Sequence, residues 1–151
     1  MLKSFILLIA AVLLLLIQTF SQISTADADS AFSKSRLKIQ GEGRTCKIIN
    51  TLSGDLNNDS KEDLLVYYTC EINGTIGKGT TGGGWAIWIN KEGYLQFLLS
   101  DEKKFGLVPL QILSNGLISC NRLQFKSDSD KPDVAGKLNV KLSGDSLKIL
   151  K

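Results

Sequence analysis

From Thr45 onward, turn chemistry cuts the chain into short runs, and that interval leaves room for strands but not for long helices. Lys47–Leu52 and Leu64–Glu71 flank an acidic segment, while Trp85–Ile89 and Tyr94–Leu99 flank Asn90-Lys91-Glu92-Gly93. Leu107–Leu113 and Leu117–Phe125 flank Ser114-Asn115-Gly116, where Asn-Gly is the strongest short hairpin signal. Lys137–Leu142 alternates polar and apolar residues strictly, and Ser143-Gly144-Asp145-Ser146 turns it into Leu147–Leu150. No segment carries a convincing 3.6-residue period. The expected class is all-β: about eight antiparallel strands joined by hairpins, as a sandwich, a roll or a twisted meander. They divide into two sets of four, 47–99 and 107–150, after an N-terminal signal helix.

That leading segment has the layout of an export signal. Lys3 supplies the positive charge, Phe5–Ile17 is an uninterrupted apolar stretch, and small residues follow. Ala26-Asp27-Ala28 matches the small-x-small pattern of a cleavage site, so residues 1–28 read as a signal peptide cut after Ala28, with a cut after Ala26 as runner-up. The apolar stretch falls short of the roughly 20 residues that a spanning helix needs, and an uncleaved anchor is the alternative. Residues 29–45 read as a polar, loosely attached lead-in with room for a short strand at 37–40, and 46–151 as a single β-domain. Removing 28 of the 151 residues leaves 123, enough for one domain with its own core.

The expected location is the periplasm or the exterior, with membrane contact only through the signal before cleavage. The net charge of +3 is scattered, without a basic cluster or an aromatic-interleaved patch, so nucleic acid is not an expected partner. In an oxidising compartment three cysteines give one disulfide and one thiol left over. Three pairings are possible. If 46–53 and 64–71 form a hairpin, Cys46 comes opposite Cys70, which makes that pair the candidate; the alternative is three reduced, buried thiols.

Between those strands runs Gly54-Asp55-Leu56-Asn57-Asn58-Asp59-Ser60-Lys61-Glu62-Asp63. Calcium takes six to eight oxygen ligands, and alternate side chains of a curling loop can supply them. Asp55, Asn57 and Asp59 would give side-chain oxygens, Lys61 its carbonyl and Asp63 the closing carboxylate. The EF-hand pattern fails, because its glycine and glutamate positions hold Ser60 and Val66. The competing reading is a solvated turn in which Asp and Asn only bend the chain.

The run resembles the nine-residue D-x-[DN]-x-D-G-x-x-D calcium loop of FG-GAP and VCBS propeller repeats. It also looks like a group of small exported bacterial proteins in which such a loop precedes Tyr/Thr, a glycine-rich stretch and a Trp-containing strand; Tyr67-Tyr68-Thr69, Gly82-Gly83-Gly84 and Trp85 stand in those places. The resemblance covers roughly residues 53–99 and implies a calcium site on a β-hairpin, with no assigned catalytic activity. The two strand sets are reminiscent of two propeller blades, yet the second lacks the loop, and two blades cannot close a propeller. Ser60 stands where the pattern has glycine, a position that needs positive φ. Serine there carries a strain of about 1 kcal/mol, which is expected to weaken the site.

Gly77, Gly79 and Gly82 match G-x-G-x-x-G, and Lys78 invites a phosphate reading. A strand rather than a helix follows, so no helix N-terminus is there to hold a phosphate. Gly77, Lys78 and Gly79 are candidates for a contact loop, with a plain hairpin connection as the alternative. Alternation puts Trp85, Ile87 and Ile89 on one face and Ala86 and Trp88 on the other, which makes Trp88 the candidate exposed aromatic for a partner or a sugar.

Histidine is absent. That excludes Ser/His/Asp and Cys/His catalysis and histidine-bound zinc. Carboxylates such as Glu71 and Glu92 form no spaced pair, and no base is nominated for Cys120. The expected function is an exported, non-catalytic β-domain with one structural Ca²⁺, acting as a binding module for a protein or carbohydrate. The alternative is a secreted hydrolase or enzyme accessory with a calcium-shaped site.

Overall fold

The computed structural model describes residues 23–40, 43–72, 82–124 and 132–150. In chain order the elements are α1 (Thr25–Lys34), α2 (Arg36–Gln40), β1 (Arg44–Gly54), β2 (Asp63–Ile72), β3 (Gly82–Lys91), β4 (Tyr94–Asp101), a 3₁₀ turn (Glu102–Lys104), β5 (Leu107–Ile112), β6 (Leu117–Gln124), β7 (Asp133–Ser143) and β8 (Ser146–Leu150). All eight expected strands are present, with ends moved by a few residues. They form two four-stranded antiparallel meanders, β1-β2-β3-β4 and β5-β6-β7-β8. The division between the two sets of four is thus the division between sheets. Lys91 pairs with Tyr94 across a two-residue turn, Glu92-Gly93, in which both residues have positive φ (53° and 92°). That is the backbone a right-twisted hairpin demands.

The inner faces of the sheets share one core. Leu65, Tyr67, Trp85, Ile87 and Ile89 of the first sheet meet Ile118, Cys120, Val140, Leu142 and Leu147 of the second. Period-2 alternation aims these residues inward, and the polar tips of the aromatics find partners where the chain crosses between sheets. Trp85 Nε1 donates to the Leu107 carbonyl (2.7 Å) and the Tyr67 hydroxyl to the Phe105 carbonyl (3.0 Å). Gly84 makes the crossing possible: an added Cβ would collide with the Asp101 carbonyl and sit 2.8 Å from Glu102 Cα. Gly82–Gly84 therefore opens β3 rather than belonging to a surface loop.

The other face of β2 and β3 is equally apolar, and here the structure departs from expectation. Leu64, Val66, Tyr68, Cys70, Ala86 and Trp88 are buried against Ala28, Ala31, Phe32 and Ile39. The supposed lead-in at 29–45 is helical over most of its length and docked, and the expected strand at 37–40 lies in α2. The period of α1 is carried by Ala28, Ala31, Phe32 and Ser35, small residues for the most part, which is why its apolar stripe does not register as one. Its start is built by a capping box: the Ser24 side chain accepts from Asp27 N (3.2 Å), and Asp27 Oδ2 accepts from Ser24 N (3.0 Å). Phe32 lies 5.8 Å from the Tyr68 ring and 6.5 Å from that of Trp88, and Trp88 Nε1 donates to Ser35 Oγ (3.2 Å). Either expected signal cut, after Ala26 or after Ala28, falls inside this helix.

Cys46 faces Cys70 across the β1–β2 register, and the two are joined, as the hairpin reading expected. Cys120 is a buried free thiol. A docked α1 has measurable consequences. Phe32→Ala is expected to cost about 3 kcal/mol and Ser24→Ala about 1 kcal/mol. Urea melts followed by tryptophan fluorescence check both, and a loosely attached segment would leave the midpoints unmoved.

Candidate functional site

The acidic loop closes the β1–β2 hairpin above the Gly54–Asp63 pair. Its carboxylates are drawn inward by the loop's own amides. Asp55 Oδ1 accepts from Asp59 N (3.0 Å) and Asp55 Oδ2 from Ser60 N (2.8 Å). Asn57 Oδ1 also accepts from Asp59 N (3.0 Å), its Nδ2 donates to Asp59 Oδ2 (3.1 Å), and Asp59 Oδ1 accepts from Lys61 N (3.0 Å). This curl needs two left-handed residues, Asn58 (φ 61°) and Ser60 (φ 65°). Asparagine enters that region readily and serine at a cost. The positive φ expected at Ser60 is therefore present.

Two contacts fix the curl to the body. Leu56, 1% exposed, inserts into the core between the sheets. Gly116, at φ 72° in the β5–β6 turn, lies so close that an added Cβ would stand 3.0 Å from the Leu56 carbonyl and 3.1 Å from that of Asp55. The loop of the first sheet thus rests on a hairpin of the second.

Asp63 stands apart from the other four expected ligands. It is fully buried at the foot of the loop; Oδ2 accepts from Leu56 N (2.9 Å) and Oδ1 from Asn90 N (2.9 Å). One carboxylate thereby ties the acidic loop to the β3–β4 turn. Burial pushes its carboxyl above the usual aspartate range, the two amide hydrogen bonds oppose that, and the neighbouring Asp59 and Asp55 charges add to the rise. The structure brings Asp55, Asn57, Asp59 and Lys61 together through direct hydrogen bonds and places Asp63 beneath them. Among the described residues, no three His, Cys, Asp or Glu side chains already converge as a metal cluster.

A cleft of about 360 Å³ opens beside the loop, lined by Asn57, Asp59 and Lys61 from one side and by Asn90, Lys91, Glu92 and Tyr94 from the other. Asn90 and Tyr94 also line a second cleft, of about 420 Å³, shared with Asp27 and Lys34 of α1. Tyr94 is 59% exposed between them. Trp88 must be corrected: it is 1% exposed, and α1 covers the face that alternation had left open. Among the described residues Tyr94, which sequence reasoning passed over, is the exposed aromatic. Its position at the head of a strand directly after Glu92-Gly93 was the available signal. Gly77, Lys78 and Gly79 lie outside the described residues. Glu71 is exposed and lies 3.8 Å from Lys47, and Cys120 is buried with its thiol pushed up to about 11 by desolvation, so it holds little thiolate.

Comparison of the chain with family models, with curated proteins and with solved structures returns no match.

Asp63 gives the site a pH signature. A carboxyl whose pKa is higher in the folded than in the unfolded state draws protons to the native protein. Its share of stability is full below the ordinary value of 3.8 and is lost as pH rises through the folded value. Asp63→Asn is expected to lower stability by about 2 kcal/mol near neutrality, because one amide loses its acceptor. It should also flatten that segment of the profile. Urea midpoints of both proteins in metal-free buffer, between about pH 3 and pH 7, test this.

Proposed function

We propose that the chain is an exported, non-catalytic β-domain whose acidic loop takes one Ca²⁺ and whose surface serves as a binding module for a protein or carbohydrate. The observation that carries the ion is the curl that direct hydrogen bonds impose on Asp55, Asn57, Asp59 and Lys61 above the buried Asp63. Three carboxylates on one short loop would balance the charge of a divalent cation. Asp55, Asn57, Asp59 and Asp63 would supply side-chain oxygens and Lys61 its carbonyl, in keeping with the FG-GAP-like pattern. Each side-chain oxygen that accepts one amide keeps a second lone pair for the ion. The Cys46–Cys70 disulfide supports an oxidising location, periplasmic or extracellular. The cleft beside the loop, with Tyr94 at its rim, offers the partner a concave, mixed polar and aromatic surface. In this reading the binding role formerly given to Trp88 passes to Tyr94.

Calcium binding is read by melting the protein in EGTA and in calcium. A site of about 10⁻⁴ M in a hundredfold excess of ion adds about 2.7 kcal/mol, a rise in Tm of roughly 5–10 °C. Asp59→Ala is expected to abolish the rise, and identical melts of the parent protein in both buffers would reduce the loop to a turn.

Ser60 sharpens the test. Its φ of 65° is left-handed, so the loop carries the strain expected there. If the free and the calcium-bound loop share that backbone, Ser60→Gly raises stability by about 0.5–1 kcal/mol in both buffers with an equal calcium increment. A larger increment in calcium would show that the strain falls on the bound state instead.

A further inference from the structure

The helix that covers the first sheet begins within the stretch where an export signal would be expected to end. Ile23 N–H donates to Glu62 Oε2 (3.3 Å). Ser24 and Asp27 then form the capping box, with the Ser24 hydroxyl also donating to Asp27 Oδ2 (2.7 Å). Ala28 is 1% exposed, packed with Ala31 and Phe32 over Tyr68 and Trp88. A cut after Ala26 removes the cap. A cut after Ala28 removes the cap, half of the first two turns and a core methyl.

An export peptidase reads small residues one and three places before the scissile bond. Between Ile17 and Ala28 three such pairs occur: Thr19/Ser21, Ser24/Ala26 and Ala26/Ala28. The last two both fall at the expense of α1. The first does not, and it lies four residues beyond the end of the apolar stretch Phe5–Ile17, within reach of a peptidase at the membrane face. Thr19 and Ser21 lie outside the described residues and enter by sequence alone.

We infer that the exported protein is cut between Ser21 and Gln22, and that residues 23–40 belong to the mature fold as the outer layer of the first sheet. The inference rests on the export reading. The step is hydrolysis of one amide by the host's signal peptidase: water gives its hydroxyl to the Ser21 carbonyl carbon and a proton to the Gln22 nitrogen. The product keeps the Ser24 cap, Ala28 and the full stripe of α1. It also keeps Ile23 and its hydrogen bond to Glu62.

Intact-mass analysis of the full 151-residue chain expressed in a bacterial host and recovered from the periplasm or medium tests the site. The expected species begins at Gln22, with loss of ammonia where the terminal glutamine cyclises. Ala26→Leu provides the internal control, because it removes a small residue from both downstream pairs at an exposed position of α1 that tolerates leucine. It is expected to leave the mass change otherwise unaltered. A parent species beginning at Asp27 or Asp29, or uncut precursor accumulating in Ala26→Leu, overturns the inference. A parent chain retained uncut in the membrane fraction overturns the cut while leaving export standing, whereas uncut chain in the cytoplasm overturns the export reading and the cut with it. The structural half has its own readout. A chain of residues 29–151 is expected to melt roughly 5 °C or more below one of 22–151, and equal melts would remove residues 23–28 from the fold.

Discussion

The two central strands of the first sheet are apolar on both faces, and most of the architecture follows from covering them. Residues 63–70 of β2 and 83–89 of β3 are buried without a break, so alternation gives each strand two inward faces rather than one. The second sheet covers one of them with Ile118, Val140 and Leu142. Something had to cover the other, since Trp88, Tyr68 and Val66 left in water would forgo about 1.5–3 kcal/mol apiece. A short helix of alanines and one phenylalanine does it, because β1 and β4 only flank the ribbon and reach neither face fully. Small residues suit that place: they let α1 lie close to the sheet, and Phe32 alone fills the space between Tyr68 and Trp88.

Asp63 occupies the end of that same ribbon and couples its two turns. A buried carboxylate is costly unless hydrogen-bonded, and here each oxygen meets one backbone amide, Leu56 N within the acidic loop and Asn90 N at the β3–β4 turn. Asparagine offers one acceptor where two donors converge, which explains why the position holds an acid at all. Desolvation and the Asp59 and Asp55 charges press the other way. The foot of the loop is therefore a place where geometry is well satisfied and charge is not, and relief can come from a proton or from a cation.

How much of this was legible depends on what carried each signal. The strands were plain because large β-branched and aromatic residues recur between Gly, Asn and Asp turns, and the register that set Cys46 opposite Cys70 followed from the hairpin around the acidic loop. The helix was hidden because its stripe is built from Ala28, Ala31 and Ser35, which weigh little in any hydrophobic period. Its capping box, Ser24-x-x-Asp27, was present in the sequence, but lay in a segment already read as a signal end. Missing the helix had a second effect: with one face of β3 thought open, Trp88 became a surface residue. Position Asp63 was legible as a ligand type but not as a brace, since its partners, Leu56 N and Asn90 N, are backbone groups that no side-chain pattern announces.

The loop, the turn and the clefts make one mechanical unit at this end of the molecule. On the calcium reading, an ion held by Asp55, Asn57 and Asp59 stiffens one wall of the cleft that also contains Lys91, Glu92 and Tyr94. Asp63 holds both walls by their backbones, and Leu56 and Gly116 stop the ion-bearing wall from moving away from the second sheet. The ion need not touch a partner to matter to it. On that proposal, order gained in the loop would pass to the turn through Asp63, and a partner seated against Tyr94 would meet a surface whose ordering cost had already been met. The proposed route needs no movement of the sheets, because Asp63, Leu56 and Gly116 already join the loop to the β3–β4 turn and to the second sheet.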